Sequence, residues 1–271
     1  LQKINKDYNE EINRLAFKMA TGSGKTFVMA MMILWNGINK FFYKTDKKFA
    51  NQFLILTPGI TIRDRLKVLN PNENENIYDQ YDLIPLNYKK VISTIKLEIL
   101  NWHQLQARTK ADVGRQTQKI LGKKFLDNNQ ESDKDIVNRV CKNFSKTSNV
   151  VAINDEAHHC HKTLSEKIKD LKGDDKKEAE DELRTATVWF DGIKKISKIF
   201  NLNNVYDLSA TPFWLKGSGF QEGSIFPWVV SDFSLVDAIE SGIVKIPRVP
   251  VKDDDSDQTE ENKPKYRDIW K

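Results

Sequence analysis

The chain has 271 residues, of which 39% are hydrophobic, and a formal charge of +5. That is enough apolar content for a sizeable core in one large domain or two small ones. The longest apolar run, Phe27 to Trp35, is far shorter than the roughly 20 residues that span a bilayer, and no basic-then-apolar leader is visible. Two cysteines, Cys141 and Cys160, cannot build a disulfide framework. A soluble protein of the reducing cytoplasm, with no membrane partner, is expected.

The phosphate-loop candidate comes first. Leu15-Ala-Phe17 is a short apolar run, and Thr21-Gly22-Ser23-Gly24-Lys25-Thr26 follows it directly. Glycines at 22 and 24 let the backbone turn so that successive N–H groups and a helix N-terminus face phosphate oxygens. Lys25 is then placed for β- and γ-phosphates, and the Thr26 hydroxyl for Mg²⁺. The general pattern has Gly six positions before the lysine, where this chain has Met19. A glycine-rich turn without a nucleotide is the alternative. Because the first residue is Leu and the loop follows so soon, the chain reads as a piece of a longer polypeptide.

Phe27 to Trp35 is apolar nearly all round, as expected of a helix packed on a sheet. Phe53-Leu-Ile-Leu56 leads into Thr57-Pro58-Gly59, and the Val91 to Ile95 region reads as strand-like before the Asn101-Trp-His-Gln104 turn. From Lys89 to Lys124 nine basic residues face only Glu98 and Asp112, a local charge of +7. This stretch is either an auxiliary phosphate-binding surface or an ordinary solvated face.

Val150-Val-Ala-Ile153 ends in Asn154 and then Asp155-Glu156-Ala-His158. In phosphate-loop enzymes an acid here holds Mg²⁺, and a neighbouring carboxylate orients or deprotonates the attacking water. Asp155 is the candidate metal residue and Glu156 the candidate base, although acids also favour helix starts for electrostatic reasons alone. His158-His-Cys-His161 lacks the ligand spacing of structural zinc sites. His158 is instead expected to hydrogen-bond toward the Ser209 loop, which places it with Lys25, Asp155 and Glu156 in the candidate catalytic set.

Lys162 to Arg184 holds seven positive and eight negative residues, which suits a solvated helical insertion with little net field. Trp189, Ile193, Ile196 and Phe200 then recur at helical spacing before Val205-Tyr-Asp-Leu208 and Ser209-Ala-Thr211. Ser234-Leu-Val-Asp237 has the form of a capping box, Leu235, Val236 and Ile239 offer an apolar face, and Gly242 would end that helix. Asp253 to Glu261 carries six acids and reads as a linker. Strands alternating with helices predict an α/β domain with a mostly parallel sheet. In such sheets the polar turns gather at the carboxyl ends of the strands, where ligands bind.

With this loop, Asp155-Glu-Ala-His158 and Ser209-Ala-Thr211 in order, the chain resembles the first motor domain of superfamily 2 helicases. The longer wording RLAFKMATGSGKT, TPGITIRDRL, INDEAHHC and YDLSATPFW is similar to the Res-subunit-like helicases of type III restriction endonucleases. The resemblance covers residues 14 to 250, apart from variable insertions at about 103–148 and 162–187. It implies a RecA-like fold over 1–250, a linker at 251–271, ATP and Mg²⁺ as cofactors, and a motor that acts on double-stranded DNA within a restriction enzyme. Ser209 and Thr211 would couple hydrolysis to domain movement, and Thr57, Pro58, Gly59 and Arg63 would touch the nucleic-acid backbone. A second RecA-like domain, a nuclease domain and a modification subunit are the implied partners. No arginine-finger or nuclease motif is visible in this chain, so the fragment alone is expected to bind nucleotide but hydrolyse it poorly. An RNA helicase and a nucleotide-gated DNA clamp remain the alternatives.

Overall fold

The computed structural model describes residues 1–108, 130–162, 173–215 and 218–245. Six strands form one parallel sheet: β1 (Arg14–Met19), β2 (Gln52–Thr57), β3 (Lys96–Asn101), β4 (Asn149–Asp155), β5 (Asn201–Ser209) and β6 (Val229–Phe233). Their order across the sheet is β3-β2-β4-β5-β1-β6. The helices are α1 (Gln2–Asn9), α2 (Lys25–Phe42), α3 (Ile60–Arg65), α4 (Ile77–Gln80), α5 (Lys89–Ile92), α6 (Asp133–Val140), α7 (Gly173–Ile199) and α8 (Leu235–Glu240). This is the α/β architecture of a RecA-like phosphate-loop domain. Among the described residues no helix is long and apolar enough to cross a membrane.

Strands β2 and β4 are buried along their whole length, which is why their sequences run apolar without alternation. Their side chains still divide by parity. Leu54, Leu56, Val150 and Ala152 join Val137 of α6 and Trp189 and Ile193 of α7. Phe53, Ile55, Val151 and Ile153 join Met29 and Ile33 of α2. A third cluster, of Trp214, Phe226 and Trp228 around Ala16, lies toward the β1 and β6 side, with Tyr8 of α1 against it.

Three expectations need correction. Val91 to Ile95 is not a strand: α5 occupies 89–92, Val91 and Ile95 pack with α2, and the strand starts at Lys96. Their spacing of four is a helical face, whereas β3 is an edge strand disguised by Lys96 and Glu98. Helix α2 is buried on one side only, since Phe27, Met31 and Trp35 are exposed. It covers one face of the sheet, so its outer stripe has no layer above it among the described residues. In α8 the buried side chain is Ala238, while Leu235 and Val236 are exposed. Six residues make less than two turns, too few for periodicity to fix the inward side. Within the 103–148 stretch, α6 buries Ile136 and puts Val137 and Val140 into the core. Strand β6 was not anticipated, because its Ser231 and Asp232 face solvent at the other edge.

The expected capping box is present: Ser234 Oγ accepts from Asp237 N, and Asp237 Oδ2 accepts from Ser234 N, at 3.2 and 2.8 Å. Within the charged stretch, residues from 173 onward are helical and bury Ala179 and Ala186. Residues 109–129, which include the end of the basic stretch, 163–172, and the acidic stretch with the domain boundary at 250 lie outside the described residues.

Candidate functional site

Because every strand points the same way, β1, β2, β4 and β5 end on one edge. Thr21 to Thr26, Thr57 to Gly59, Asp155 to His158 and Ser209 to Thr211 all lie there. The cradle is two strand spacings from β4 and three from β2, about 10 and 14 Å. Met19 is still in β1, paired with Phe233, so the turn begins only after it. Gly22 and Gly24 have φ of 82° and 93°, a conformation that costs other residues about 1–2 kcal/mol. Helix α2 starts at Lys25, and a Cβ on Gly24 would meet no heavy atom within 4 Å. The cradle is therefore shaped by backbone, with Ser23 Oγ donating to Ala20 O at 2.7 Å to hold the turn.

Glu156 also has a left-handed backbone, φ 52° and ψ 50°, and it turns the chain from β4 into the 157–159 turn. Its Oε1 lies 2.9 Å from Lys25 Nζ, an ion pair between residues 131 apart in sequence. Asp155 beside it is only 7% exposed, and its Oδ1 has no hydrogen-bond partner among the described residues. Burial, and then the neighbouring Glu156, raise its pKa to about 6. A buried carboxylate oxygen lacking a donor is costly, and a cation satisfies it. The donor set thus fits Mg²⁺, with Asp155 and Thr26 as the residues that would hold it.

His158 Nδ1 lies 2.9 Å from Ser209 Oγ, joining the two loops as the sequence suggested. The same nitrogen is 3.6 Å from Glu156 Oε2, which would be an ion pair only with a protonated ring. Burial pushes the His158 pKa down to about 4, so at neutral pH the ring is neutral and the contact is not an ion pair. Ser209 Oγ also accepts from Thr211 N at 3.1 Å, which ties the coupling candidates together. His161 turns elsewhere, onto Trp214 and Phe226. The Cys160 thiol is fully buried and pushed up to about 12. Among the described residues no group of three or more His, Cys, Asp or Glu is placed to hold a metal.

Under these loops lies a polar network that the motifs did not reveal. Arg14, at the start of β1, is wholly buried and pairs with Asp207 of β5 at 2.7 Å. It also donates to Cys160 O at 2.7 Å and lies over the Trp228 ring at 4.9 Å. Asp207 accepts from Asn154 Nδ2 at 2.7 Å and from Trp228 Nε1 at 2.8 Å, and Trp189 Nε1 donates to Asn154 Oδ1 at 3.0 Å. Asn154 precedes Asp155, Asp207 lies two residues before Ser209, and Cys160 follows the 157–159 turn. The network therefore connects the strands that carry three of the four loops. A charged residue inside the apolar runs RLAF and VYDL was the signal that could have found it.

On β2's end, Thr57 Oγ1 donates to Gly59 O at 3.0 Å and holds the turn into α3. Arg63, on α3, is paired with Asp64 at 3.0 Å. Trp102 packs against the core beside α7, so the Asn101 to Gln104 turn serves packing at that residue.

A family model described as type III restriction enzyme, res subunit, matches residues 1–213. The match spans all four loops. A search of curated proteins finds no match.

Proposed function

Since the chain belongs to the type III restriction enzyme Res-subunit family, a helicase-like ATPase motor domain, we propose that it binds Mg·ATP and drives movement along double-stranded DNA. The observation that carries this reading is the Lys25–Glu156 pair at 2.9 Å. It brings a phosphate-binding cation and a candidate base from distant segments to one point. Thr21 to Thr26 wrap the phosphates with backbone N–H groups. Lys25 exchanges Glu156 for a phosphate oxygen, which frees the carboxylate to orient or deprotonate water. When bound, Mg²⁺ would supply positive charge against the β- and γ-phosphates. Through His158, a change at Glu156 reaches Ser209 and Thr211, which couple it to a second RecA-like domain. Thr57, Pro58, Gly59 and Arg63 hold the DNA backbone without reading sequence.

In this reading the cytoplasmic parent protein carries the second motor domain and a nuclease domain on the same polypeptide, and works with a modification subunit. The other motor domain supplies an arginine to the transferring phosphoryl group, a contribution of about 10³–10⁵ in rate. The test is binding of a fluorescent ATP analogue with Mg²⁺, followed by hydrolysis by the full-length parent protein with duplex DNA, single-stranded DNA or RNA. Lys25→Ala abolishes binding, and Glu156→Gln keeps binding while losing turnover. Normal binding by the Lys25 variant would sink the site assignment. Stimulation by RNA alone would replace the DNA reading, and binding without turnover under any condition would leave a clamp.

A further inference from the structure

At the amino edge of the sheet, opposite the loops above, the ends of α6 and α7 meet in an open cleft of about 380 Å³. Lys134, Lys146, Lys195 and Lys198 line it together with Asp133 and Ile199. Asp133, the one carboxylate of the lining, is taken by Lys195 at 2.9 Å. Lys134, Lys146 and Lys198 are exposed and have no carboxylate partner among the described residues. Such a cluster of like charges repels itself, and a polyanion relieves that repulsion.

Further lysines stand on the same edge. Lys47 O accepts from Asn149 Nδ2 at 2.7 Å and from Asn203 Nδ2 at 2.5 Å, which pins the loop carrying Lys47 and Lys48 beside the start of β4 and β5. Lys96 opens β3 at the same edge. From β3 to β5 is three strand spacings, about 14 Å. One strand of DNA shows a phosphate every ~3.4 Å of axis, so about four phosphates face that width. All the cations are lysines, point charges on flexible stems without the planar fork that selects one planar acceptor. This is the chemistry of sequence-independent backbone contact.

We propose that this lysine edge is a second contact for the phosphate backbone of duplex nucleic acid, separate from the loops at the carboxyl edge. It rests on the reading that this motor acts on nucleic acid. Strands β2, β3 and β4, of six or seven residues, separate the two edges by roughly 20 Å. The lysine edge therefore holds DNA outside the reach of the loops that cycle with nucleotide, as an anchor that does not itself cycle.

The test is equilibrium binding of a fluorescein-labelled DNA duplex over a salt series, comparing the protein with a Lys134→Gln, Lys146→Gln, Lys198→Gln variant. The slope of log affinity against log salt should fall in magnitude by about 2.7 if all three lysines touch phosphates. Binding of the ATP analogue and the unfolding temperature should be unchanged, because these side chains are exposed and distant from the cradle. An unchanged slope overturns the proposal while leaving the proposed function standing. Failure of the unaltered protein to bind duplex or single-stranded DNA at any salt overturns both. Loss of binding to a polyglutamate peptide with the DNA slope intact reassigns the edge to an acidic protein partner, and also overturns it.

Discussion

Asp155 ends a strand that is buried throughout, and burial together with Glu156 holds its pKa at about 6 instead of 3.8. Between those values the native protein keeps a proton that the unfolded chain has released, so stability falls as pH rises through this window. Above it the cost is complete, on the order of 3 kcal/mol for two pKa units. Asp155→Asn is therefore expected to unfold at a higher temperature than the unaltered protein at pH ~8 without metal, and the gain should close below pH ~4. Mg·ATP should raise the unfolding temperature of the unaltered protein and not of the variant. Thermal unfolding across the pH range checks both, and a gap of the same size at pH 8 and pH 4 would contradict the origin assigned to it.

At the scale of elements, the pairing of β1 with β5 depends on more than its backbone ladder. Arg14 and Asp207 are buried together with four further hydrogen-bonding groups around them, so removing one charge strands the other. Arg14→Met should cost about 3–5 kcal/mol, and Arg14→Met with Asp207→Leu less than the sum of the single changes. A denaturant-unfolding cycle measures the coupling, and simple additivity would show that the pair does not act as a unit. Helix α7 approaches the 102–105 turn so closely that a Cβ on Gly192 would lie 2.6 Å from Leu105 Cδ1. Gly192→Ala should destabilise by about 1–3 kcal/mol through overpacking, against the helix-propensity gain of about 1 kcal/mol that an exposed glycine would show. An unfolding midpoint that rises would mean that Leu105 moves aside freely.

These elements also show what the amino-acid sequence could disclose. The four central runs were legible because strands covered on both faces carry mostly apolar residues, and the loops after them because phosphate chemistry narrows the choice of residues. Edge strands β3 and β6 were not, since one open edge admits Lys96, Glu98 and Asp232 and erases the pattern. Arg14, Asp207 and Asn154 were illegible as a set because they lie on three strands, up to 193 residues apart, and only the sheet order brings them together. The lysine cleft was hidden for the same reason, its four cations lying on three separated segments.

Over the whole molecule, acid stability is a contest between groups of opposite sign. Burial holds His158 and His161 at about 4, against 6.5 for an exposed ring, and lowers His159 as well. Their contribution is complete above pH 6.5 and is lost as pH falls through the folded values, because the unfolded chain binds protons that the native rings refuse. Asp155 works the other way over pH 3.8 to 6, where protonation relieves a buried charge. Two strongly depressed histidines outweigh one raised carboxylate, so the unfolding temperature should drop between pH 7 and 4.5. Asp155→Asn removes the opposing contribution, and its drop over that interval should be steeper than that of the unaltered protein. His161→Phe, whose ring can stay among Trp214 and Phe226, should make the drop shallower. Parallel pH profiles for all three proteins would mean that the acid response arises elsewhere in the chain and not at Asp155 and His161.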